Sequence, residues 1–105
     1  MTIAFIGNPS VGKSVFFSRL TGVGVEVSNY PGTTVALKRG IVKARGKTIE
    51  VVDLPGIYSL GVTKEDEKVT KKFLIEDKPD IIVNVLDASR LERNLFLTLQ
   101  LLELD

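Results

Sequence analysis

The sequence predicts an α/β fold of about four strands with flanking helices, and three features of the chain indicate it. An apolar run at residues 2–6 is followed by a glycine-rich loop and by an amphipathic stretch at 14–20. Strand-like and helix-like segments then alternate along the rest of the chain. A later apolar run at 80–87 is typical of a parallel strand that is buried on both faces. We therefore expect at least one right-handed crossover and a ligand site at the carboxyl ends of the strands.

The middle of the chain predicts a hairpin preceded by a loop. Two strand-like runs, 35–42 and 47–53, flank a turn at Arg45-Gly46, which is typical of an antiparallel hairpin. The segment before them, residues 23–34, is rich in turn-forming residues and shows neither a helical nor a strand period. It predicts an exposed and mobile loop.

The second half of the chain predicts two helices around the last strand. Charges alternate around Val69 and Phe73 in residues 64–77, which predicts an amphipathic helix that Pro79 ends. We expect its charges to form a solvated face. The final helix should run from about Leu91 to the end of the chain.

Composition limits the functional classes that this chain can serve. Its 105 residues, 44% of them hydrophobic, leave room for one domain with a modest core. A net charge of +1 gives no support for a nucleic-acid partner. The chain has no cysteine or histidine, which excludes disulfides, zinc sites and imidazole bases. No apolar stretch reaches the roughly 20 residues that cross a bilayer, so we expect a soluble, intracellular chain.

Residues 7–14, which read GNPSVGKS, fit the phosphate-binding pattern G-x-x-x-x-G-K-[ST] between a strand and a helix. The glycines let backbone N–H groups approach phosphates, and the positive end of the helix favours the same negative charge. Lys13 would reach the β and γ oxygens, and the Ser14 hydroxyl would ligate Mg²⁺. The alternative is a glycine-rich turn without a ligand. The position of the pattern favours a nucleoside triphosphate site.

Two further groups fit such a site. Asp53 ends a predicted strand and begins the run D-x-P-G, so it would join the Mg²⁺ shell while the N–H of Gly56 approaches the γ-phosphate. The alternative is a turn that closes the hairpin. Thr33 or Thr34 would bring a hydroxyl to the metal only when the γ-phosphate is present, which predicts an order–disorder switch. The alternative is a turn whose threonines begin a strand.

Several stretches together resemble the amino-terminal GTPase domain of FeoB-type ferrous iron transporters. They are the phosphate loop at 7–14, NYPGTTV at 29–35, DLPGIYSL at 53–60, NVLDASRLERNL at 84–95 and LTLQLLE at 97–103. The resemblance implies a Ras-like G domain of the P-loop NTPase class, incomplete here, that binds GTP or GDP with Mg²⁺. It aligns Thr34 with the metal-binding switch threonine of the family and Asp53 with its metal-shell aspartate. It also implies a membrane permease part as partner, in the same or a companion chain, and a place on the cytoplasmic face of the cell membrane.

The motifs and the resemblance together give one predicted site, with a phosphate loop at 7–14, a first switch at about 23–34 and a second at about 53–63. The predicted nucleotide contacts are Gly7, Asn8, Pro9, Ser10, Val11, Gly12, Lys13, Ser14, Val15, Thr33, Thr34, Asp53 and Gly56. The predicted metal ligands are Ser14, Thr34 and Asp53, and the predicted catalytic residues are Lys13, Thr34 and Gly56.

Three departures from the family pattern qualify these expectations. Ser10 stands where the family more often has an asparagine associated with K⁺, so K⁺ is a candidate cofactor that this serine disfavours. Ile57 follows Gly56, where Ras-like enzymes have a water-positioning glutamine, so intrinsic hydrolysis should be slow. The guanine-recognition segment of the N-K-x-D type is expected beyond Asp105, and the residues present leave guanine and adenine both open.

The sequence supports more than one function. The first is a Mg²⁺-dependent GTPase portion that gates iron uptake in the intact protein, with the iron handled elsewhere because cysteine and histidine are lacking. The second is a nucleotide-binding interaction module without useful turnover. The third is a fragment of an Obg-type ribosome-associated GTPase. The last helix is apolar around most of its circumference, so we also expect self-association through residues 91–105 if nothing else covers it.

Overall fold

The computed structural model describes residues 1–8, 13–21, 25–61, 64–86 and 91–104, with the side chains at 14, 16, 44 and 91–96 outside the description. In chain order the elements are β1 (Thr2–Gly7), α1 (Lys13–Thr21), β2 (Glu26–Asn29), β3 (Ala36–Ala44), β4 (Lys47–Asp53), α2 (Glu65–Lys72), a π-helical turn (Phe73–Asp77), β5 (Ile81–Val85) and α3 (Leu91–Glu103). The predicted α/β class is confirmed, and so are both strands of the hairpin and the helix near the carboxyl end.

The strands form one mixed sheet in the order β2-β3-β4-β1-β5. β1 pairs in parallel with both β4 and β5, and the antiparallel ladders are those of β2 with β3 and of β3 with β4. In this register Phe5 lies opposite Asp53, and Gly7 lies opposite Val85. Because the carboxyl ends of parallel strands meet at one edge of a sheet, the glycine-rich loop begins next to Asp53.

The prediction of a mobile loop over residues 23–34 is wrong for part of that segment. Glu26–Asn29 is a strand, which is why the described sheet has five strands and not about four. This strand lies at the sheet edge, and all of its residues are exposed. Its stability comes from backbone pairing with β3, so the sequence shows little of the burial pattern by which strands are usually recognised. The alternation of Val25 and Val27 with polar residues was the available signal.

The hairpin between β3 and β4 turns at the two residues that the sequence indicated. Arg45 and Gly46 have φ values of 51° and 76°, so both adopt the left-handed conformation. That combination is the one required by a two-residue type I′ turn, whose twist matches that of the strands it joins. The turn therefore fixes the register that carries Asp53 to the end of β4.

The two faces of the sheet bury different side chains. On one face, Phe5 of β1 packs edge to face against Phe17 of α1, with ring centroids 6.1 Å apart. On the other face, Ala4 and Ile6 of β1 belong to the main core, which α2, the π-helical turn and α3 cover. The core side chains from those three elements are Val69, Phe73, Leu74 and Leu97. The central strand is thus held from both sides.

The helix predicted at 64–77 forms as α2 followed by the π-helical turn, which ends where Lys78 takes a left-handed φ of 46° before Pro79. The expectation of a wholly solvated charged face is wrong at Glu67. This carboxylate is only 8% exposed and accepts a hydrogen bond of 3.0 Å from the Ser59 hydroxyl. Glu67 lies seven residues before the buried Leu74, so helical spacing places it on the apolar face.

The prediction that residues 80–87 form a strand buried on both faces is also wrong in its burial. β5 pairs in parallel with β1 as expected, but Ile81 and Ile82 are 42% and 41% exposed. These isoleucines are exposed because β5 lies at an edge of the described sheet.

The last helix, α3, also exposes apolar side chains. Leu97 is buried, whereas Leu99 and Leu102 are 60% and 63% exposed. Among the described residues, no helix has the length and apolar content needed to span a membrane.

Candidate phosphate-binding site

The site is built where β1 and β4 end side by side. Beyond β4, the amide of Leu54 donates to the carbonyl of Phe5 at 3.1 Å. The amide of Ile57 donates to the carbonyl of Gly7 at 3.0 Å. These two bonds fasten the segment that contains Asp53 and Gly56 to the start of the glycine-rich loop, so two of the predicted motifs are neighbours in space. Pro9, Ser10, Val11 and Gly12 of that loop lie outside the described residues.

Lys13 and Asp53 form a buried ion pair at this point. The Lys13 ammonium contacts the Asp53 carboxylate and donates a second hydrogen bond of 2.6 Å to the carbonyl oxygen of Leu54. The exposed fractions of the two residues are 7% and 6%. Buried charges are tolerated only when they are paired and hydrogen-bonded. The structure therefore brings together the predicted phosphate-binding cation and the predicted metal-shell anion.

Asn8 gives the site a second unusual feature. It follows Gly7 directly and is 3% exposed, and neither its side-chain nitrogen nor its side-chain oxygen has a hydrogen-bond partner among the described residues. Buried amides are nearly always paired, so such a group needs an explanation. A polar environment at the glycine-rich loop would supply one.

The donors at this site suit Mg²⁺, which prefers hard oxygen ligands. Asp53 offers a buried carboxylate at the end of β4, and Ser14 lies in the first turn of α1. No group of three or more acidic side chains that would hold a metal by itself occurs in the described part of the chain. The assignment of Asp53, Ser14 and Thr34 as Mg²⁺ ligands stays a prediction from the sequence, and the Ser14 side chain lies outside the described residues.

The two threonines of the first predicted switch have different surroundings. The Thr33 hydroxyl donates to the carbonyl of Tyr30 at 2.9 Å and accepts from the amide of Val35 at 3.1 Å, so it is used inside its own turn. Thr34 is exposed, and its amide donates to the Glu65 carboxylate at 3.3 Å. Of the two hydroxyls, the one of Thr34 is the better placed for an external ligand.

Tyr30 anchors this turn to the rest of the protein. Its ring is buried in the main core, its hydroxyl lies 3.4 Å from a carboxylate oxygen of Asp77, and the Lys72 ammonium lies 5.9 Å above the ring. Burial, reinforced by the negative charges of Asp77 and Glu76, raises the pKa of the Tyr30 hydroxyl above its ordinary value of 10.0. Nothing in the sequence had singled out this tyrosine beyond its place in a family motif.

The loop after Gly56 is also held by contacts that the sequence did not reveal. The amide of Leu60 donates to the side-chain oxygen of Gln100 on α3 at 2.7 Å, and the Ser59 hydroxyl donates to Glu67 on α2. Ile57 is 3% exposed and belongs to the main core. The second predicted switch is therefore tied to two helices over its described part, which excludes 62–63.

Comparisons with known proteins agree with this architecture. The sequence profile of the family described as ferrous iron transport protein B matches residues 1–105. The Fe(2+) transporter FeoB of Methanocaldococcus jannaschii is 52% identical over 102 residues, which cover 97% of this chain and 15% of the relative. The FeoB of Escherichia coli O157:H7 is 45% identical over 108 residues, which cover 99% of this chain and 14% of the relative. The chain thus spans 15% or less of the length of these curated relatives.

Solved structures show the same fold. The G domain of the T. maritima FeoB iron transporter matches with a TM-score of 0.94 and 40% identity, over 100% of this chain and 66% of that one. A GDP-bound mutant of the S. thermophilus FeoB G domain matches with a TM-score of 0.91 and 48% sequence identity. The match covers 98% of this chain and 40% of that one. The Ras-like P-loop fold expected from the sequence is therefore confirmed.

The buried ion pair predicts a non-additive pattern of stability. Asp53→Ala should lower the free energy of unfolding by about 3–5 kcal/mol, because it leaves the Lys13 ammonium buried without its carboxylate. The double variant Lys13→Met with Asp53→Leu should lose much less, since apolar side chains of similar volume remove both charges. Urea denaturation without nucleotide measures both. An Asp53→Ala protein as stable as the wild type would contradict the pair's role.

The raised pKa of Tyr30 predicts a loss of stability at high pH. The folded protein holds the phenolic proton to higher pH than the unfolded chain does, so this contribution is complete below about pH 10 and is lost as pH rises through the folded value. Tyr30→Phe should therefore show a shallower alkaline decline in the free energy of unfolding than the wild type. Tyr58→Phe, which alters an exposed tyrosine, is the matched control and should keep the wild-type slope.

Proposed function

This chain belongs to the ferrous iron transport protein B family, and from that premise we propose that it binds a guanine nucleotide at the glycine-rich loop. The observation that carries the proposal is the meeting of Lys13 with Asp53 at the carboxyl ends of β4 and β1. The GDP bound to the related S. thermophilus G domain supports guanine as the base.

Each predicted residue has a role in this proposal. Lys13 exchanges part of its contact with Asp53 for the β and γ oxygens of the nucleotide, which offer a stronger negative charge. Backbone N–H groups of the loop and of Gly56 contribute hydrogen bonds to the same phosphates. Ser14, Asp53 and Thr34 supply oxygen ligands for Mg²⁺, which neutralises negative charge on the phosphates when it is bound.

We propose that hydrolysis by this chain alone is slow. In enzymes of this type a side chain after the glycine of the second switch orients the attacking water. Here that position is Ile57, whose side chain is in the core and whose amide is bonded to Gly7. Without a water-positioning side chain, the acceleration of hydrolysis would come from neutralisation of the phosphate charge by Lys13 and the metal. The burial of Ile57 equally favours the second candidate, a nucleotide-binding interaction module without useful turnover.

At the level of the intact protein, we propose that the nucleotide state is coupled to ferrous iron uptake. The curated relatives are named as Fe(2+) transporters, and this chain corresponds to 15% or less of their length. The sequence contains no cysteine or histidine, the ligands that soft and borderline metals favour. Iron would therefore be handled by a membrane permease part, with residues 1–105 acting at the cytoplasmic face of the membrane.

Nucleotide binding is tested by titrating GDP and GTP with Mg²⁺ into the wild-type protein and into Lys13→Ala. We expect Lys13→Ala to weaken binding at least about tenfold, because a charge-assisted hydrogen bond contributes about 1.5–3 kcal/mol. Lys68→Ala, on the exposed side of α2, is the matched control and should bind as the wild type does. Absence of binding heat from folded wild-type protein at millimolar nucleotide would refute the site. Phosphate release above the Lys13→Ala level would favour the enzyme over the module.

We also propose self-association through residues 91–105, which the exposed Leu99 and Leu102 support. Sedimentation at tens of micromolar should show a dimer or larger species. Leu102→Glu should shift the wild-type distribution toward monomer without unfolding it, because the side chain is exposed. A wild-type monomer under these conditions would contradict the proposal.

A further inference from the structure

The segment that contains the predicted metal-binding threonine is attached to the helix that follows the second switch. We name residues 30–35 the threonine turn. One end of it contacts the carboxyl end of the π-helical turn, through the Tyr30 hydroxyl and Asp77. Near its other end, the amide of Thr34 donates a hydrogen bond to the carboxylate of Glu65, the first residue of α2. The two hydrogen bonds are similar in length, at 3.4 and 3.3 Å, but Tyr30 is buried in the core whereas Thr34 is exposed, and that difference suggests which part of the turn can move.

The end residues of the threonine turn are firmly fixed. Tyr30 and Val35 are each 7% exposed and belong to the main core. The amide of Tyr30 donates to the carbonyl of Val35 at 2.8 Å, which closes the base of the turn. Moving either residue would expose its apolar side chain to water and break this bond, and the burial of a tyrosine ring is among the larger single contributions to a core.

The residues between these ends are much less constrained. Pro31, Gly32 and Thr34 are exposed, and Gly32 has a φ of 79° with no atom within 4 Å of the position that a Cβ would take. Glycine changes between positive and negative φ at little cost. A change in the backbone of 31–34, with Gly32 as the residue that absorbs it, therefore leaves the core in place and breaks only the hydrogen bonds that Thr33 makes within the turn.

The contact between Thr34 and Glu65 lies on the protein surface. It joins a backbone amide to a carboxylate on the protein surface at 3.3 Å, and both residues are exposed. Exposed hydrogen bonds of this kind contribute little to stability and are easily exchanged for water. While the contact is made, however, it holds the backbone of Thr34 at the first residue of α2 and so restricts where the Thr34 hydroxyl can reach.

We propose that Glu65 is a positioning residue that retains Thr34 on α2, and that triphosphate binding releases Thr34 by rearranging residues 31–34 alone. The proposal rests on the proposed function, because it regulates the same site. Glu65 and nucleotide then compete for Thr34, so the first residue of α2 sets how readily the first switch closes. A ligand can shift such an equilibrium only by its differential affinity, and the γ-phosphate with Mg²⁺ supplies that difference.

The energetic part of the proposal is tested by substituting Glu65 in the intact protein. Glu65→Ala should tighten binding of a non-hydrolysable GTP analogue with Mg²⁺ by about two- to fivefold, because the retained state loses its hydrogen bond. Its affinity for GDP without Mg²⁺ should not change. Glu65→Gln keeps an acceptor oxygen and should remain closer to the wild type. Asp66→Ala removes a neighbouring exposed carboxylate and is the charge-matched control.

The outcomes separate this proposal from the function on which it rests. If the wild type binds no nucleotide, the proposed function fails. If the wild type binds the analogue, Lys13→Ala does not, and Glu65→Ala matches Asp66→Ala, the function stands and the role of Glu65 is refuted. An equal gain in Glu65→Ala and Asp66→Ala would show a general charge effect and would also refute it.

The structural part is tested by amide hydrogen exchange on the wild type with and without the analogue. The amide of Tyr30 should stay protected in both conditions, because its bond to Val35 is retained. Exchange at Thr33 and Thr34 should change when the analogue binds. Loss of protection at Tyr30 on binding would show that the whole turn leaves the core, which would overturn the proposal.

Discussion

The parallel pairing of β1 with β4 is the constraint on which the functional part of this structure depends. It places the start of the glycine-rich loop and Asp53 at the same sheet edge, and two backbone bonds from Leu54 and Ile57 extend that alignment beyond the strands. The buried contact between Lys13 and Asp53 is possible only because of this register. A one-residue slip would send the Asp53 side chain to the other face of the sheet, since side chains alternate along a strand.

The two predicted switches beside this sheet edge differ in how they are attached to the rest of the protein. In the first, the threonine turn is anchored by core residues at its two ends, and the exposed Thr34 between them donates a hydrogen bond to one surface carboxylate, Glu65. The second is tied to α2 through Glu67 and to α3 through Gln100. Helix α2 contacts both switches, through Glu65 and Glu67, so a conformational change in either switch alters a contact with the same helix. This arrangement gives the domain a physical connection between its two loops that does not pass through the nucleotide.

Much of this organisation was predictable from local sequence. The Arg45-Gly46 turn and the strand that ends on Asp53 each have a distinct chemical signature, and both are short-range features, whereas the phosphate loop stays a prediction because most of it lies outside the described residues. The edge strand Glu26–Asn29 was missed because its stability comes from a partner strand and not from its own residues. The exposure of Ile81 and the burial of Glu67 depend on which elements lie next to them. Tertiary neighbours decide such features, and a single sequence states them only indirectly.

The exposed edge of the described sheet at β5 has a consequence for residues 1–105 as a separate molecule. A parallel edge strand with two half-exposed isoleucines offers unpaired backbone groups and apolar side chains together, the combination that recruits strands from other molecules. Where no further strand covers it, this edge is open to aggregation.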